Sequence, residues 1–175
     1  VTLGLPIAFG GDNGVLKLRG KSEGGTALSY YNHLVIEFSG TSPVECKGDI
    51  RTLVDYTDYL NANTENARFV GLFLNCSSLA TAPELPSTTL TQGSYYGMFL
   101  GCTSLTEAPE LPAATLTPYC YVSMFSGCTA LSKVSIAATD IADISALGGW
   151  LEGTTPGTIY CTPEFKTFME SDPYL

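Results

Sequence analysis

The chain has 175 residues, 45% of them hydrophobic and 14% charged, which suits one domain of ordinary size or a short repeat array and excludes a disordered polymer. Seventeen acidic residues against eight basic ones give a net charge of −9 with no cluster of Lys and Arg, which disfavours nucleic acid and anionic membrane surfaces as partners. No window approaches the ~20 consecutive apolar residues of a membrane span. The first residues show no charged stretch followed by an apolar run, so the sequence itself carries no sign of export.

Residues 1–60 read as a β-rich N-terminal cap. Alternation over 14–20 and again over 33–39, with turn residues at 11–14 and at Gly24-Gly25, predicts a small antiparallel sheet. Residues 49–59 form a transition with a short helical turn, and 61–66 are a polar loop.

From residue 61 to the C-terminus the chain reads as one continuous body dominated by a repeated sentence. Phe73-Leu74-Asn75-Cys76-Ser77-Ser78-Leu79 returns as Phe99-Leu100-Gly101-Cys102-Thr103-Ser104-Leu105 and as Phe125-Ser126-Gly127-Cys128-Thr129-Ala130-Leu131, a period of 26 residues. Between these anchors Ala82-Pro83-Glu84-Leu85-Pro86 recurs as Ala108-Pro109-Glu110-Leu111-Pro112. A constant period of this size predicts units that stack to bury a shared apolar face. Within a unit, Phe69, Leu72, Phe73 and Cys76 fall at i, i+3, i+4 and i+7, and Tyr95, Met98, Phe99, Cys102 and Tyr121, Met124, Phe125, Cys128 repeat the pattern. That spacing predicts a short helix closed at Asn75, Gly101 or Gly127, followed by a brief strand that prolines weaken in the first two units. The third unit has the cleaner form Leu131-Ser132-Lys133-Val134-Ser135-Ile136. Adding 26 to Phe125 and Val134 lands on Leu151 and Tyr160, which predicts a degenerate fourth unit. It would hold a helix capped by Asp140 and running to Leu151, then a strand to Cys161, with one last helical turn over 164–169.

These strings, above all Met98-Phe99-Leu100-Gly101-Cys102-Thr103-Ser104-Leu105 and Ala108-Pro109-Glu110-Leu111-Pro112-Ala113, resemble the BspA-like leucine-rich repeats of surface proteins from anaerobic gut and oral bacteria. The resemblance is strong over roughly 68–161, and 48–56 with 18–20 resemble, more weakly, the segment leading into such repeats. The expected fold is therefore α+β: a leucine-rich-repeat solenoid of three 26-residue repeats plus a degenerate capping repeat, with a small N-terminal antiparallel β cap. The resemblance implies a secreted or cell-surface module without enzymatic activity, mediating adhesion or host-protein contact outside the bacterial cell.

Chemistry finds little footing in the residues. Six cysteines invite a disulfide framework, yet Cys76, Cys102 and Cys128 hold the same slot on an apolar face, which favours packed thiols. Cys46, Cys120 and Cys161 are left without an assigned partner. One histidine, His33, and no Cys-x-x-Cys speak against zinc and against a cysteine nucleophile with a base, and no cofactor is expected. Glu84 and Glu110, 26 apart, should lie side by side and with Glu107 make an acidic stripe; a solvated face is the first reading of it, a partner-binding face the second and a catalytic pair the third. Asp12-Asn13-Gly14 is most simply a hairpin turn and not a calcium loop. The candidate contact residues are Thr81, Glu84, Glu107, Glu110, Lys133 and Ser135, with salt-sensitive binding to a basic protein expected. The alternative is a carbohydrate-binding module in which Tyr30 and Tyr31 stack on sugar rings and the repeats are a spacer.

Overall fold

The computed structural model describes residues 18–38, 41–141 and 143–171. Among these residues six short strands and one α-helix are formed: β1 (Ala27–Ser29), β2 (Asn32–His33), β3 (Val44–Glu45), β4 (Leu79–Thr81), β5 (Lys133–Ile136), β6 (Thr158–Cys161) and α1 (Pro163–Ser171). They make three two-stranded sheets, β1 with β2 antiparallel and β3 with β4 and β5 with β6 parallel. Single 3-10 turns lie at Ile50–Leu53, Tyr59–Asn61 and Ile144–Leu147.

The expected leucine-rich-repeat solenoid of three 26-residue repeats with a capping repeat is overturned by this inventory. Among the described residues there is one α-helix, and it lies outside every segment where a repeat helix was expected. The reason is in the backbone. Gly71, Gly97, Ser123 and Gly149 have φ between 51° and 60°, and Asn75, Gly101, Gly127 and Gly153 have φ between 58° and 76°. A left-handed residue every fourth position converts an i, i+3, i+4, i+7 pattern from a helix into consecutive tight turns. In these turns Leu72 N–H donates to Phe69 O and Cys76 N–H to Phe73 O, three residues back. The intervening amides leave the segment altogether: those of Phe69, Gly71, Phe73 and Asn75 donate to the carbonyls of Ser94, Tyr96, Met98 and Leu100 at 2.6–2.9 Å. Tyr95, Gly97, Phe99 and Gly101 donate likewise to Cys120, Val122, Met124 and Ser126, and Tyr121, Ser123, Phe125 and Gly127 to Ala146, Gly148, Trp150 and Glu152.

Adjacent turns thus lie against one another, and their apolar residues meet in rows. Phe99 stacks on Phe73 and on Phe125, in each case with 5.6 Å between centroids, and Tyr95 lies between Phe69 and Tyr121 at 5.9 and 6.1 Å. Met98, Met124, Leu105, Leu111 and Leu147 complete a core with essentially no solvent exposure.

Both ends of this core are covered. Over the first turns, the β1–β2 hairpin sets His33 against Gly71 and Tyr30 against Gly93, where a side chain in place of either glycine would strike the ring. At the other end, Phe165 of α1 packs edge-on to Trp150 at 5.9 Å. α1 occupies the stretch expected to form a last helical turn. The strand expected over 33–39 is only β2, and residues 14–17, with the turn at 11–14, lie outside the described residues. The helix expected to start at Asp140 is also corrected. Asp143 is the cap, its Oδ1 accepting from Ser145 N–H at 2.8 Å, and a four-residue 3-10 turn follows it.

Candidate functional site

The candidate residues sit on short extended segments that follow the turns, and backbone pairing decides which of them meet. Thr81 ends β4 opposite Glu45. Glu84 pairs with Asp49: its N–H donates to Gly48 O at 2.9 Å and its carbonyl accepts from Ile50 N–H at 3.1 Å. In the next segment along the chain, Glu107 pairs with Lys133 and Leu111 with Ile136, Ala108 N–H donating to Lys133 O and Leu111 N–H to Ser135 O. Ser135 is half-buried in β5 opposite Tyr160.

The segment at 79–86 therefore bonds toward the N-terminal side and the segment at 105–112 toward the C-terminal side. Among the described residues no backbone hydrogen bond joins these two segments to each other. Proline explains the seam, since Pro83, Pro86, Pro109 and Pro112 have no N–H to give. The seam opens as a groove of about 360 Å³ lined by these four prolines, Ala82, Leu85, Glu84 and Glu110. Both glutamates are exposed, and among the described residues neither has an ion-pair partner.

Glu84 and Glu110 thus line one groove, which Glu107 does not. Lys133 Nζ lies 3.6 Å from Glu107 Oε2 and 5.9 Å from the centre of the Tyr160 ring, so the third carboxylate has a cationic partner at the surface. Thr81, Lys133 and Ser135 do not line the groove. What sequence reasoning missed is the prolines, taken only as breakers of strands. The signal was their occurrence at matched positions, Pro83 with Pro109 and Pro86 with Pro112.

The two tyrosines of the alternative reading part company. Tyr30 packs edge-on to Tyr96 at 5.0 Å and is half-buried, whereas Tyr31 is 98% exposed. The six cysteines are free thiols. Cys102 and Cys128 donate to Phe73 O and Phe99 O at 3.1 and 3.0 Å, and burial pushes the Cys128 and Cys120 thiols up to about 12. Such thiols are packing groups and not nucleophiles at neutral pH. No group of three or more His, Cys, Asp or Glu that could hold a metal ion occurs among the described residues, and no helix there is long and apolar enough to cross a membrane. No protein-family model, curated protein or solved structure matches the chain.

Proposed function

We propose that the protein is a non-enzymatic binding or adhesion module that makes protein–protein contact, with a host or matrix protein, at the outer surface of a bacterial cell or in the medium around it. One observation carries this reading: two exposed carboxylates, Glu84 and Glu110, flank an apolar groove open to solvent. Open apolar surface rimmed by charge is the composition of a contact area. A general acid/base pair asks instead for carboxyls enclosed in a cleft that separates their roles. The location rests on the repeat resemblance, and the net charge of −9 selects a basic partner. Surface plasmon resonance against purified extracellular-matrix proteins tests it. Binding that weakens as salt rises supports the reading; binding confined to glycans overturns it.

A second reading, a carbohydrate-binding module, is favoured by Tyr31, whose ring is free to stack on a sugar. Loss of a glycan-array signal in Tyr31→Ala with no change in Tyr30→Phe supports it.

A further inference from the structure

We infer that the proline groove between residues 82–86 and 109–112 takes an extended, arginine-bearing peptide segment of a protein partner; this rests on the protein-binding reading above. The groove is one-sided in its hydrogen-bonding chemistry. Four of its eight lining residues are prolines without an N–H, and the Glu84 N–H is already spent on Gly48 O. Its side-chain polar groups are the carboxylates of Glu84 and Glu110, which only accept when ionised. A surface of acceptors and flat apolar rings, with few donors, is complementary to a ligand that brings many donors, a positive charge and an apolar body.

Arginine meets those three requirements together. Its guanidinium carries five N–H donors, keeps its charge at any physiological pH, and is weakly hydrated enough to lie on apolar surface while its edge faces a carboxylate. Lysine brings a compact, strongly hydrated charge that forfeits more on leaving water. An acidic or neutral segment would leave both glutamates without partners on binding. The extended form follows from the walls, two short proline-containing segments running side by side. A strand-like peptide can lie along the seam they leave.

The test uses the intact protein and two fluorescein-labelled peptides, Ala-Arg-Pro-Leu-Arg-Pro-Ala and the same peptide with citrulline in place of each arginine, followed by fluorescence anisotropy. Citrulline keeps the shape and loses the charge. The arginine peptide is expected to bind about fivefold to tenfold more tightly than the citrulline peptide, and E84Q/E110Q to remove most of that margin. Both substitutions are on exposed side chains, so an unchanged thermal melt accompanies them. Equal binding of the two peptides, no binding of either, or an unaltered margin in E84Q/E110Q overturns the inference. A matrix protein that binds wild type and E84Q/E110Q alike removes the groove while leaving the binding-module reading in place; failure of every matrix protein removes that reading itself.

Discussion

Phe73 and Phe99, 26 residues apart in sequence, lie nearly parallel, with 5.6 Å between ring centroids and 4° between planes, and Phe125 continues the row at the same spacing. Phe99 therefore has an aromatic neighbour on each face and no exposure to solvent. Phe99→Ala is expected to cost about 3–5 kcal/mol from lost burial, a residual cavity and two broken ring pairs. Phe165→Ala, which breaks one ring contact at the C-terminal end, should cost less. Urea unfolding of the two variants ranks them, and a reversed order would mean that the row is not the centre of stability.

The turns can be distinguished from helices by the sign of a glycine substitution. Gly97 has φ of 56° and its nearest would-be neighbour, Leu100 Cβ, stands at 4.0 Å, so an alanine there meets no obstacle except its own backbone. In an α-helix Gly→Ala stabilises by roughly 1 kcal/mol; in the left-handed region it costs about 1–2 kcal/mol. Gly97→Ala is expected to lower the unfolding midpoint. Gly101→Ala should lower it further, because the added Cβ also collides with the Asn75 side chain, and Asn75→Gly in the same chain should recover part of the loss. A rise in midpoint for Gly97→Ala would restore the helix.

That contrast shows how far the sequence could be read. Residues one period apart do meet, as Phe73 with Phe99 and Tyr95 with Tyr121 demonstrate. The local structure was misjudged because a row of four-residue turns and a helix put apolar side chains at the same spacings; only the backbone sign at Gly71 and Gly97 separates them, and Ser123 has that sign without being glycine. At the candidate site, Glu84 and Glu110 stand at matched positions of the period and line one groove. The pairing of Glu107 with Lys133 was not legible in the sequence, since it depends on which neighbouring segment each strand bonds to. Tyr30 was misread for a similar reason: its partners Gly93 and Tyr96 lie more than sixty residues on, beyond any local pattern.

Stability should fall steeply in alkali. In the unfolded chain a thiol ionises near 9, whereas burial holds Cys120 and Cys128 up to about 12 and raises Cys102 as well. A folded value above the unfolded one means that the stabilisation is complete below pH 9 and is lost as pH climbs toward 12, because the unfolded chain then sheds protons that the folded chain keeps. Each such thiol removes about 1.4 kcal/mol per pH unit over that window. Urea titrations at pH 7, 9.5 and 10.5 should show the fall, and Cys128→Ala should make it shallower by one thiol's share. A slope unchanged by that substitution would mean that Cys128 ionises equally in both states. Ellman's reagent at pH 8 should meanwhile modify exposed Cys161 rapidly and leave Cys102 and Cys128 untouched.

Asp49 links the N-terminal part of the chain to the groove, and its loss should be felt in both. One carboxylate oxygen accepts from Arg51 N–H at 2.8 Å, capping the 3-10 turn, and the pair grips the Arg51 guanidinium, with Nε at 3.0 Å and Nη2 at 2.6 Å from Oδ2. Arg51 Nη1 in turn donates to Leu60 O at 3.1 Å, so the ion pair also pins the 3-10 turn at Tyr59–Asn61. On either side of Asp49, Gly48 O and Ile50 N–H hold the backbone of Glu84. Removing the carboxylate takes away a cap and leaves a half-buried guanidinium without its counter-charge, so Asp49→Ala is expected to cost about 1–3 kcal/mol. Asp49→Asn keeps an acceptor for the Arg51 N–H and should cost less, about 1–2 kcal/mol. Because Glu84 loses its anchored neighbour in both variants, amide exchange at Glu84 and Ile50 should quicken in step with the loss of stability. Slow exchange at those two amides in a destabilised Asp49→Ala would show that the wall of the groove holds its place without the turn.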